Sequence, residues 1–157
     1  MPAGSDRLPV ALPHTFRPLG VRLAAYAFGG MLVVVCIVMW FAFPPAVRAQ
    51  FTVVQLGTII ALGLAAAACG HALARCRVDA RSDGVTVVNG FKVRRLDWNE
   101  ILAISLRQGS PWAMLDLSDG STVPAMGIQG SDGSRAVAQV KALRAMLDQQ
   151  SRTDRND

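Results

Sequence analysis

Asp83-Gly84-Val85-Thr86-Val87-Val88-Asn89-Gly90-Phe91-Lys92-Val93-Arg94-Arg95-Leu96-Asp97-Trp98 reads as two β arms joined by a tight turn. Val85, Thr86, Val87 and Val88 are β-branched and suit a pleated, half-buried surface. Asn89-Gly90 between two such arms is the strongest short-range hairpin signal, because a type I′ turn needs positive φ at both central residues. Asp83-Gly84 marks another turn just upstream. In the second arm Phe91, Val93 and Arg95 share one face while Lys92, Arg94 and Leu96 share the other. Alternation there does not mark one clean hydrophobic side.

The same grammar continues downstream. Residues 100–107 read as a third strand, broken by Gly109, Ser110 and Pro111. Residues 112–117 form a fourth, with Trp112, Met114 and Asp116 on one face and Ala113, Leu115 and Leu117 on the other. Asp119-Gly120 turns the chain into a fifth strand over 121–126, where Pro124 suggests an edge or a strand end. Gly127, Gly130 and Gly133 make a loose connection. Helical spacing then takes over: Val137, Val140, Leu143 and Leu147 recur on one face, and Asp132 or Ser134 can cap the start. A polar tail follows over 151–157. Five to seven short antiparallel strands closed by one amphipathic helix make an α+β, mainly β, barrel or sandwich with a small core. Trp98 and Trp112 are expected in that core, which needs large side chains.

Upstream the chain is a different material. Between residues 23 and 74 the only Lys, Arg, Asp or Glu is Arg48. The uncharged run 23–43 spans about 30 Å as a helix, the thickness of a bilayer's hydrocarbon core. Tyr26 and Trp40 fit the interfacial aromatic belts, and Pro44-Pro45 stops the helix. A second uncharged run covers 51–74, so residues 44–50 close a two-helix transmembrane hairpin. The expected organisation is an N-terminal tail over 1–20, two transmembrane helices within 21–74 (22–43 and 51–74), a soluble domain over 75–150, and the tail. A cleaved signal peptide competes for the first run, with Val47-Arg48-Ala49 as the cut. The run is too long for it, since signal cores span about 7–15 residues. Gly63 with Ala67, and Ala66 with Gly70, form small-xxx-small pairs for close helix packing, against the first helix or a second copy. His71, near the charged exit at Arg75, belongs at the interface.

The formal charge is +5 and the pI about 9.9. In a chain with such apolar runs, arginine placement explains the excess without nucleic acid. Arg7, Arg17 and Arg22 precede the first helix, Arg48 alone lies between the helices, and Arg75, Arg77, Arg81, Lys92, Arg94 and Arg95 follow. Both termini are therefore expected in the cytoplasm, with a multi-pass chain in a bacterial inner membrane. The three cysteines, Cys36, Cys69 and Cys76, give neither a disulfide framework nor a zinc pattern.

The run from Arg81 to Ile101, with Trp98, Pro111-Trp112, the hairpin around Asp119-Gly120 and Leu143-Arg144, resembles bacterial pleckstrin-homology-like (PH-like) domains. It is similar above all to the actinobacterial membrane-anchored group related to low-molecular-weight protein antigens, and the resemblance covers residues 16–150. It implies a PH-like barrel, membrane attachment and no established activity, and it supplies no binding residues.

No phosphate loop, metal cluster or catalytic triad is written in the chain, so neither an enzyme nor a cofactor is expected. The suggestive cluster is basic: Arg75, Arg77, Arg81, Lys92, Arg94 and Arg95 can contact anionic lipid. The expectation is a membrane-anchored, non-catalytic module that meets a protein partner, the lipid surface or both. The alternative is an accessory subunit of a membrane transporter or envelope enzyme, docked through Gly63, Ala66, Ala67 and Gly70.

Overall fold

His14-Thr15-Phe16, ahead of the first apolar run, forms the opening strand of a sheet whose remaining strands lie beyond the second run. The computed structural model describes residues 12–153; the expectations on Arg7 and on residues 154–157 fall outside them. The chain divides into two compact units. One is Leu19–Arg75; the other joins the segment up to Pro18 to the segment from Cys76 onward.

The first unit is helical. Helix α1 (Leu19–Ala42) and helix α3 (Val53–Arg75) are each long and apolar enough to cross a membrane. No residue of either is buried, which sets them apart from core helices of a soluble domain. Between them a single turn of helix, α2 (Pro45–Arg48), carries proline at its start, where the missing N–H costs no hydrogen bond. Thr52 and Gln55 cap α3 reciprocally: the Gln55 N–H donates to Thr52 Oγ1 at 3.2 Å, and the Thr52 N–H donates to Gln55 Oε1 at 2.9 Å. Trp40 and Phe51 rings meet at 5.8 Å beside this cap.

The second unit is a β-sandwich closed by a helix. One sheet runs β1 (His14–Phe16), β2 (Arg77–Arg81), β3 (Gly84–Asn89), β4 (Lys92–Leu96), all antiparallel. The other runs β5 (Ile101–Ser105), β6 (Trp112–Leu117), β7 (Thr122–Gln129). Helix α4 (Ser134–Thr153) follows. The core gathers Phe16, Val78, Val85, Val87, Leu115, Ile128 and Leu143 from both sheets and the helix. Trp98 joins it from a 3-10 turn, its indole N–H donating to the Arg81 carbonyl at 2.8 Å. Trp112 is only half-buried. On β6, Ala113, Leu115 and Leu117 face inward, as the alternation predicts.

Several expectations change. The β3–β4 turn centres on Gly90-Phe91, not on Asn89-Gly90. Asn89 pairs with Lys92 and only Gly90 (φ 61) has positive φ, the pattern of a type II′ turn with glycine first. Asn89 is freed for a different task. Its Nδ2 donates to the Pro124 carbonyl at 2.6 Å and its Oδ1 accepts from the Met126 N–H at 3.1 Å, stitching one sheet to the other.

Met126 needs that partner because the β6–β7 register shifts between Ala113 and Trp112, taking part of β7 off the ladder. The fifth strand therefore continues to Gln129, and Gly127 lies inside it rather than in a loose connection. On α4 the buried stripe is Ala136, Val140, Leu143, Met146 and Leu147. Val137, expected there, is 47% exposed. The helix continues into the segment read as a polar tail. Arg144 Nε donates to the Ile104 carbonyl at 2.6 Å and ties α4 to β5.

Candidate functional site

Strand β2 alternates cations with a buried acid: Arg77, Asp79, Arg81. Register places Thr15, Asp79, Thr86 and Arg95 in one row across the outer face of the first sheet. Asp79 is buried at the centre of that row. One carboxylate oxygen accepts from Thr15 Oγ1 at 2.8 Å, and the other accepts from Arg77 Nε at 2.8 Å. Burial pushes this carboxyl's pKa up. The hydrogen bonds from Arg77 and Thr15 and the charges of Arg77 and Arg81 outweigh it and hold the pKa below the ordinary 3.8.

A depressed carboxyl stabilises the fold above its unfolded pKa and loses that contribution as pH falls through its folded pKa. The unit should therefore lose stability from about pH 5 downward, and Asp79→Asn should flatten that limb. Denaturation midpoints of both proteins between pH 7 and pH 3 measure it; parallel curves would count against this role for Asp79.

The six cations expected to contact lipid fall on several elements. Arg75 ends α3 in the helical unit, and Arg77 is half-buried against Asp79. Arg81 is exposed at the far end of β2, opposite Gly84. Lys92, Arg94 and Arg95 are all exposed on β4, the edge strand of its sheet, with Lys92 and Arg94 on one face and Arg95 on the other. The unclean alternation of that arm has the same cause, since this edge strand buries only Leu96. Charge on an edge also discourages pairing with another chain.

The same strand nevertheless exposes two large apolar side chains, Phe91 at 67% and Val93 at 57%, with Lys92 between them. The turn that carries Phe91 is pinned: the Gly90 N–H donates to the sulfur of buried Cys76 at 3.2 Å. This contact gives Cys76, read from sequence only as a small apolar residue, a defined place.

Clefts open on this unit among the described residues. One, of about 640 Å³, lies beside Leu12, Thr15, Asp79, Arg81 and Asp83. Another, of about 600 Å³, lies between Trp98, Leu102 and Asp148. His14, counted outside the soluble domain from sequence, sits in β1 with its ring 4.5 Å from that of Phe16. Among the described residues no group of His, Cys, Asp and Glu is arranged to hold a metal. On α3, a Cβ added at Gly63 or Gly70 would meet no atom within 4 Å. Ala66 and Ala67 are exposed.

Two antiparallel sheets of four and three strands with a C-terminal helix are the PH-like sandwich, and its sequence agrees. The pattern of the family described as Bacterial PH domain matches residues 75–145. Fold and match together make this region similar to bacterial PH domains. The matched span begins after β1. Similar curated proteins include one from Mycobacterium bovis and one from Mycobacterium tuberculosis, both described as uncharacterised. Each is 39% identical over 87 residues, covering 55% of this chain and 56% of the relative. The chain thus spans about half the length of the curated relatives it matches. No solved structure matches it.

Proposed function

We propose that the protein is a membrane-anchored PH-like binding module at the cytoplasmic face of a bacterial inner membrane. The helical pair is the anchor, and the sandwich presents a surface to lipid, to a protein partner or to both. The observation that carries this reading is the pairing of β1 with β2. These strands flank the apolar pair: Phe16 lies three positions before Leu19, and Arg77 two positions after Arg75. Strands that share a ladder lie on one side of a membrane, which supports both ends of the helical pair facing the same compartment. The arginines around the helices choose the cytoplasm.

The test is a reporter active only outside the cytoplasm. Fused after Asp157 it should be silent, and inserted between Pro45 and Gln50 it should be active. Activity after Asp157 would overturn the orientation. The accessory-subunit reading rests on the small-residue face of α3 at Gly63, Ala66, Ala67 and Gly70, where a Cβ added at either glycine would meet no atom within 4 Å.

A further inference from the structure

The β3–β4 hairpin is placed by covalent continuity as well as by its sheet. Strand β2 leaves the end of α3 after one intervening residue, Cys76, and β3 returns beside it, Val88 opposite Arg77. The turn beyond Asn89 therefore lies level with the start of β2, and the Gly90–Cys76 contact fixes it there. Phe16, three positions before α1, pairs with Val78 at the same end of the sheet. The two strand ends that continue into apolar helices and the tip of the hairpin thus share one end of the sandwich.

That tip carries Phe91 and Val93 exposed, with Arg95 on their face of β4 and Lys92 and Arg94 on the other, all exposed, and no acid between Asn89 and Leu96. Edge protection explains the cations but not the phenylalanine and the valine, which on a bare edge invite association. An aromatic ring with an aliphatic neighbour and flanking cations is the composition that partitions into the headgroup boundary of an anionic bilayer.

We infer that this hairpin tip is a lipid-docking element, resting on the anchoring proposed above. Phe91 and Val93 seat at the acyl boundary while Lys92, Arg94 and Arg95 meet phosphate groups of anionic phospholipid. The element fixes which face of the sandwich the bilayer occludes and which stays open to other molecules.

The experiment uses the full chain in vesicles, with the photo-crosslinking residue benzoylphenylalanine in place of Phe91. The same residue in place of Leu102, equally exposed at 67% in the other sheet, serves as the comparison. In vesicles containing phosphatidylglycerol, lipid adducts at position 91 should exceed those at 102 by about tenfold or more. Lys92→Gln, Arg94→Gln and Arg95→Gln together should weaken docking on the order of a hundred-fold, from the usual gain per basic residue at an anionic surface. Adduct yield should then fall to the level at 102. Equal yields at 91 and 102 in the unmutated background would overturn the inference, as would adducts at 91 to a second copy of the chain. Alkaline extraction of the same vesicles separates the two claims. A chain retained in the bilayer with equal yields refutes only the tip, and a chain released from it refutes the anchor.

Discussion

Phe16→Ala should lower the stability of the sandwich unit by about 3–5 kcal/mol, the range for deleting a buried aromatic side chain. Phe16 is 2% exposed and packs with Val78 and Val87, its neighbours across the sheet. A small domain holds only about 5–15 kcal/mol in total, so the variant would spend much of its life partly open. Denaturant unfolding followed through Trp98 measures the change. A fragment beginning at Cys76 should behave worse still. It lacks β1 altogether, leaves β2 as a bare edge and uncovers the core beneath Phe16. Joining residues 12–18 to Cys76 through a short linker, with the helices removed, should restore a cooperative transition. If Phe16→Ala unfolded at the wild-type midpoint, β1 would be an ornament and not part of the core.

Gly127→Ala should cost about 3 kcal/mol, at the upper end of overpacking penalties. A Cβ there would stand 2.6 Å from the backbone Cα and C of Arg77 and 2.7 Å from the Val78 nitrogen. Those atoms belong to a strand in the opposite sheet and cannot rotate away as a side-chain end could. The strain falls beside the Asn89 hydrogen bonds to Pro124 and Met126, so the seam between sheets would open as a unit. The denaturant midpoint should fall with an unchanged slope. Gly120→Ala, where φ is +81 but nothing lies within 4 Å, isolates backbone strain from the clash. Equal losses at the two positions would mean that close approach of the sheets is not the cause.

Sequence patterning reached the strands with strong local signals. Ala113, Leu115 and Leu117 alternate because β6 lies between two strands with one face on the core, and the period survives into the structure. The apolar helices were legible from length and missing charge alone. Strand β1 was not legible. Three residues carry no period, and their partners Val78, Asp79 and Ala80 lie far along the chain beyond two apolar helices. Asn89 was assigned to the wrong part of its turn because Asn-Gly is a local rule, whereas its hydrogen bonds run to residues 35 and 37 positions away.

Among the candidate site residues, composition found Lys92, Arg94 and Arg95. The partnering of Arg77 with Asp79 was hidden, because it is completed by Thr15 from across the helical insertion. Phe91 and Val93 looked like a poorly formed hydrophobic face, and only the edge position of β4 shows them as exposed surface.

The split sandwich also has a history in time. Thr15 is made 64 residues before the Asp79 it binds, and ribosomes add about 5–20 residues per second. The first strand must wait several seconds while both apolar helices are synthesised. Closing the ladder then depends on where the second flank emerges. A chain whose second helix stopped on the wrong side, or never entered, would leave β1 and β2 in different compartments, with no sheet to complete. If the helices cross the bilayer as proposed, the ladder closes only when both flanks emerge on one side, and a misthreaded hairpin would leave an open edge and a bare core.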